Sequence, residues 1–339
     1  PLNLPFYLNA IISVMLIWAY TIKGGIKSII WTDMIQTFFL VFAVVFTIFS
    51  IGKELNMNFT TMVSAICSND QFVLFDFGNF WSNENNFFKQ FISGAFITIV
   101  MTGLDQDMMQ KNLSLKNIHE ATKNFFSFSI ALIPVNFIFL CLGVLFVIYM
   151  NTKGISQQMN PDEIYPILAT KYLPFSVSIF FILGIIASAF SSANSAMVAM
   201  TTSFMIDIYN GKNKSERKLK KVREITHTIV ALCFIGIIIL FHLFNDESVV
   251  KTIFKFAGYT YGPLLGLFFV GLFTKWRIKD KTIPYISIVS ILLTVIIDTF
   301  SEEILFGYKF GFEILILNGI ITIIGLLLCK EKTEYQSTI

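Results

Sequence analysis

The sequence predicts an all-α polytopic membrane protein, and three observations predict it. Only 14% of the 339 residues are charged and 55% are hydrophobic, whereas soluble domains carry about 25% charged residues. The mean hydropathy is +0.70, so the apolar surplus needs a solvent other than water. The apolar residues also come in long continuous runs rather than in the alternating pattern of an outer-membrane barrel.

Nine apolar runs follow in order, near residues 4–22, 28–51, 87–104, 124–150, 174–209, 224–244, 249–273, 283–300 and 308–329. Most are close to the roughly 20 residues that cross a bilayer as a helix. The third is short and holds Gly94 and Gly103. The fifth is too long for one straight crossing, so part of it should extend beyond the lipid. The seventh is interrupted by Gly258-Tyr-Thr-Tyr-Gly-Pro263, where glycine and proline weaken the helix and free backbone carbonyls. The chain begins with Pro1 rather than Met, and no signal peptide precedes the first run. The expectation is that an N-terminal part of a longer protein is missing.

Charge supports nine crossings. The connections around 23–27, 105–123, 210–224 and 274–282, with the C-terminal tail, carry 18 Lys and Arg; those at 52–89, 151–173, 245–251 and 301–309 carry 6. That asymmetry places the first group, and the C-terminus, in the cytoplasm. The segment GKNKSERKLKKVRE at 211–224 reads as a topology anchor touching lipid phosphates, not as a nucleic-acid site. The aromatic loop at 52–89 suits the headgroup zone.

Within these spans few polar groups stand out. Ser188, Ser191, Ser192 and Ser195 fall at i, i+3, i+4 and i+7 of the fifth run, which puts them on one stripe. Small residues and hydroxyls serve helix packing; neutral oxygens also suit a hard cation such as sodium. On spacing alone both readings stand. Asp33 lies about one and a half turns into the second run. A carboxylate at that depth faces an internal pathway, or sits near enough to the surface to pair with Lys23 or Lys27. Lys255, Asp298 and Glu313 lie near outer ends, and His227 and His242 have no partner at ligand spacing, so they read as packing residues. Asp105, Gln106 and Asp107 follow the third run and either cap a cytoplasmic helix or line an exit. No nucleophile–base pair, zinc box or phosphate loop is present in the sequence, so an enzyme is disfavoured.

Four ordered segments carry a resemblance. GGIKSIIWTDMIQTFFLV at 24–41, GLDQDMMQKNLSLKN at 103–117, FSSANSAMVAMTTSFMIDIY at 190–209 and GPLLGLFFVGLFTKW at 262–276 resemble, in that order, conserved-pattern segments of the sodium:solute symporters. The resemblance implies a partial leucine-transporter-like fold of two inverted five-helix repeats. Residues 1–51 would be the last two helices of the first repeat, 52–86 an extracellular or periplasmic loop, 87–273 the second repeat, and 274–339 two C-terminal helices with a cytoplasmic tail. It also implies sodium as the co-transported ion, held by the hydroxyls of Ser191 and Ser192 and the carbonyl of Ser188, with Asp33 on the ion pathway.

The implied function is a plasma-membrane symporter, embedded in lipid, that imports a small organic solute with sodium by alternating access. The alternative is a sensor or scaffold that retains the fold without transporting. Sugar-carrying members have an Asn and an aromatic pair where this chain has Thr98 to Thr102, and Phe254 stands where they place a sugar-contacting Gln. An amino acid, a carboxylate or a sialic-acid-like solute is therefore favoured over a simple sugar, with Thr98, Met101 and Thr102 as solute-facing candidates.

Overall fold

A computed structural model describes residues 5–22, 26–155, 159–210, 214–244 and 249–330, with the backbone alone over 26–32. In chain order the α-helices are α1 (Phe6–Thr21), α2 (Ile26–Glu54), α3 (Phe59–Cys67), α4 (Phe87–Thr98), α5 (Gln106–Leu113), α6 (Ile118–Lys153) and α7 (Pro161–Ile167). They continue as α8 (Phe175–Ser203), α9 (Glu216–Phe244), α10 (Val249–Phe273), α11 (Ile283–Thr299), α12 (Ser301–Ile304) and α13 (Ile314–Leu328). Single π-helical turns extend α4 over Ile99–Gly103, α7 over Leu168–Tyr172 and α8 over Phe204–Ile208.

Among the described residues, six helical runs are long and apolar enough to cross a membrane, and the bent pair Phe87–Gly103 with Gln106–Leu113 makes a seventh if it is one broken span. The nine expected spans are not reached on this measure. The first and ninth runs are helical over only 16 and 15 residues, in α1 and α13. The ninth shortens because 305–313 forms a turn and an extended stretch, with left-handed backbone at Phe306 and Gly307. The seventh run is not interrupted: α10 is continuous with Pro263 inside it.

The chain divides into two compact units. The first comprises residues 1–72 and 106–248. Its centre is the packing of α2 on α8, with a core of Val44, Ile51, Leu145, Tyr149, Val177 and Phe181. Gly184 lets the two helices approach: a Cβ there would lie 3.2 Å from Ala43 Cβ and 3.4 Å from Leu40 Cα. α1 and α9 cover another side, pinned by His227, whose ring nitrogens lie 2.6 Å from Thr21 Oγ1 and 3.0 Å from Thr201 Oγ1. That satisfied, buried histidine ties α1, α8 and α9 together. The ends of α6 follow from local chemistry. Asn117 Oδ1 accepts the Glu120 N–H at the start, and Gly154 takes the left-handed conformation at the end.

The second unit comprises residues 73–105 and 249–339 and is built on α10 against α13. Gly258, Gly262 and Gly266 present one bare stripe to Ile314, Asn318 and Thr322; a Cβ at Gly262 would come within 2.3 Å of Asn318. Pro263 has no N–H for the carbonyl four residues earlier, that of Tyr259. Asn318 Nδ2 donates to that carbonyl at 2.6 Å, so a neighbouring helix repairs the bond that the proline removes. At the loops, Trp81 Nε1 donates to the Leu305 carbonyl at 2.9 Å. Lys89 is buried, with its ammonium 2.7 Å from the Lys309 carbonyl and 3.9 Å above the Tyr308 ring. Glu313 lies 3.7 Å from the same ammonium.

Candidate functional site

The antiparallel register of α2 and α8 sets the site. Gly184 meets Leu40, and seven residues on along α8 is Ser191, while seven back along α2 is Asp33. Two turns of helix, about 10.5 Å, carry each chain from the close contact to that pair. Ser191 Oγ donates to Asp33 Oδ1 at 2.5 Å. A hydroxyl–carboxylate bond of this length is charge-assisted and fixes the carboxylate between the helices.

The other carboxylate oxygen is used as well. Lys111 Nζ, on α5, lies 3.1 Å from Asp33 Oδ2, 2.9 Å from Asp107 Oδ2 and 3.0 Å from Ser195 Oγ. Asp33, Asp107 and Lys111 are each about one-fifth to one-quarter exposed. The alternative pairing of Asp33 with Lys23 or Lys27 falls on side chains outside the described residues. Asp107 stands in the first turn of α5, as a capping residue would, but its carboxylate is committed to Lys111.

The serine stripe is split in its surroundings. Ser195 is buried, Ser188 and Ser191 are half-buried, and Ser192 is exposed. Buried polar atoms without a hydrogen-bond partner include Gln36 Oε1, Gln110 Nε2 and Asn194 Oδ1. Gln36 is one turn from Asp33, Gln110 is next to Lys111, and Asn194 is one turn from Ser191. Buried polar groups are normally hydrogen-bonded, so each of these calls for an explanation; Glu313 Oε2 and Asn318 Oδ1 in the other unit are unpaired in the same way. Thr98, Met101 and Thr102 belong to the other unit. Thr98 Oγ1 donates to the Gly94 carbonyl at 2.8 Å, and Met101 and Thr102 lie half-buried in the π turn that ends α4.

Sequence reasoning singled out Asp33 and Ser191 but not the residue that joins them to α5. Lys111 lies in the polar segment 103–117 that follows the third run, where the sequence assigns it no role of its own. The signal that could have marked it was its i, i+4 spacing from Asp107 within a short polar helix. Among the described residues, no three or more His, Cys, Asp and Glu side chains converge as a metal group. The oxygens at the site come from hydroxyls and from the carboxylates of Asp33 and Asp107, hard donors rather than the soft or imidazole ligands that select transition metals.

Fold and site together define a multi-pass, all-helical membrane protein with an ionisable network between its packed helices. Residues 2–281 match the sodium:solute symporter family, and the chain belongs to it. That family consists of transporters, not enzymes. The sodium/sialic acid symporter SiaT of Proteus mirabilis (strain HI4320) is 28% identical over 283 residues, covering 80% of this chain and 55% of the relative. The sodium/sialic acid symporter NanT of Aliivibrio fischeri (strain ATCC 700601 / ES114) is 27% identical over 281 residues, 80% of this chain and 54% of the relative. The chain thus spans about half the length of these curated relatives. A solved structure of a Na+-coupled sialic acid symporter, in a substrate-bound outward-open state, shares the fold. It superposes with a TM-score of 0.76 at 19% identity, over 96% of this chain and 67% of that one.

Proposed function

We propose that the protein is a sodium-coupled symporter importing a small organic acid by alternating access, with sialic-acid-like solutes the first candidates. The observation that carries this reading is the bond from Ser191 on α8 to Asp33 on α2. It joins a hydroxyl expected to ligand sodium to the carboxylate expected on the ion's path. In this reading the hydroxyls of Ser191 and Ser192 and the carbonyl of Ser188 contribute to one sodium site, and the exposure of Ser192 leaves its oxygen available to an ion. Thr98, Met101 and Thr102 face the solute. The nine apolar runs all cross the membrane, residues 87–273 form the second five-helix repeat, and the C-terminus is cytoplasmic.

The solute class is supported by the two sialic acid symporters among the relatives and by Phe254, which cannot hydrogen-bond a sugar through its side chain. The driving force is the sodium gradient together with the membrane potential, which adds roughly 2.3 kcal/mol per charge per 100 mV.

The test is uptake into proteoliposomes by the full-length protein, with a panel of sialic acids, amino acids, carboxylates and hexoses, with and without an inward sodium gradient. Gradient-dependent uptake of a carboxylated solute is expected. Ser191→Ala should raise the sodium concentration for half-maximal uptake several-fold. Solute binding that ignores sodium, or no solute flux at all in correctly inserted protein, would favour a sensor or scaffold instead.

A further inference from the structure

Lys111 fills its site completely. An ammonium has three N–H donors, and three oxygens from three helices take them: Asp107 Oδ2 on α5, Ser195 Oγ on α8 and Asp33 Oδ2 on α2. Two carboxylates and one hydroxyl around a single positive charge are what a free alkali cation would also seek. Here that place is held by a cation on a tether.

Three features mark the arrangement as one that can open. The two carboxylates and one ammonium leave the cluster one negative charge in excess. One turn along α2 from Asp33 and one turn along α8 from Ser191, Gln36 Oε1 and Asn194 Oδ1 are buried acceptors without a hydrogen-bond partner. Both are oxygens that a cation displacing the ammonium could recruit. The lysine itself is not sealed in, because a quarter of its side chain is exposed and its stem is long and flexible.

We propose that Lys111 is a tethered competitor for the pathway cation: its ammonium occupies the Asp33 seat, and a free cation binds at Asp33 only when Lys111 leaves. This rests on the reading of Asp33 as an ion-pathway carboxylate. The lysine then sets the apparent sodium affinity, because only the fraction of molecules with the ammonium displaced is competent to bind. It also keeps the seat from holding an ion too tightly to release.

The experiment compares wild type, Lys111→Met, Lys111→Arg and the double variant Asp33→Asn/Lys111→Met as full-length protein in detergent, titrated with sodium chloride at constant ionic strength. Radioactive sodium binding is the readout. Lys111→Met, which keeps the stem and removes the charge, should lower the half-saturating sodium concentration about tenfold or add a second saturable component. Lys111→Arg should stay near wild type, and the double variant should lose the gain. Lys111→Gln carries the same test if the methionine variant is poorly folded.

A sodium titration unchanged in folded Lys111→Met or Lys111→Gln would overturn the proposal. So would a gain that persists in the double variant, since the extra affinity would then not reside at Asp33. Wild-type uptake separates the two claims. Sodium-dependent uptake with an unmoved titration sinks only the tethered competitor, whereas sodium-independent uptake sinks the symport reading beneath it.

Discussion

Two lysines, one in each unit, are both held by carboxylates, and they are built in opposite ways. Lys89 has a side chain only 1% exposed, and its strongest contact is a backbone carbonyl 2.7 Å away. Glu313 stands off at 3.7 Å, and the rings of Tyr308 and Phe80 lie 3.9 and 5.3 Å from the ammonium. Lys111 is one-quarter exposed and is held by side-chain oxygens at 2.9 to 3.1 Å. The first is a lock: aromatic faces and a fixed carbonyl leave the ammonium nowhere better to go. The second has partners as good as those of Lys89 and a way out to solvent. Burial without an exit makes a structural anchor; good partners with an exit make a group that can exchange.

The largest effect that could break this contrast is on stability. Lys89→Met removes the charge and leaves the Glu313 carboxylate, 15% exposed, beside an apolar stem. Removing one member of a buried pair costs about 3–5 kcal/mol, so the thermal unfolding midpoint in detergent should fall strongly. Lys89→Met with Glu313→Gln should recover part of that loss. Lys111→Met should cost about 1 kcal/mol, because partly solvated pairs contribute little, while changing sodium binding. If the two methionine variants destabilise equally, the distinction between lock and exchanger fails.

How far the sequence reached differs between the two lysines for a physical reason. The apolar runs and the serine stripe are compositional or periodic signals, legible along one stretch of chain. Asp33 could be named because a carboxylate in an apolar run is costly enough to need a purpose, and Ser191 because the family resemblance singled it out of the stripe. Their direct bond could not, since it depends on the register of α2 and α8 at Gly184, which is set by packing. Lys89 counted only as a charge in a loop, because its burial depends on Tyr308 and Lys309, some 220 residues away. The run containing Pro263 was expected to be interrupted there, because glycine and proline weaken a helix and free backbone carbonyls. The residue that repairs the lost bond, Asn318, sits on a different helix, where no local pattern points to it.

The smallest effect sharpens the lock. Tyr308 donates to Glu313 Oε1 at 2.8 Å, and burial first, then the hydrogen bond and the charge of Glu313, push its phenol well above the usual value of 10.0. A phenol whose folded pKa is raised adds stability that is fully present below the unfolded value and is lost as pH climbs past it toward the folded one. Stability should therefore decline above about pH 10, more steeply in wild type than in Tyr308→Phe, which keeps the ring over Lys89 but has no proton to lose. At neutral pH the variant should lose only about 1 kcal/mol, the worth of one ordinary hydrogen bond, because Glu313 Oε1 retains the Gly311 N–H as donor. The two variants on this site then separate its parts: Tyr308→Phe spares the ring–ammonium contact and removes the pH slope, and Lys89→Met does the reverse. Identical alkaline unfolding of wild type and Tyr308→Phe would mean that the phenol is not sealed, and that the lock around Lys89 is looser than its burial implies.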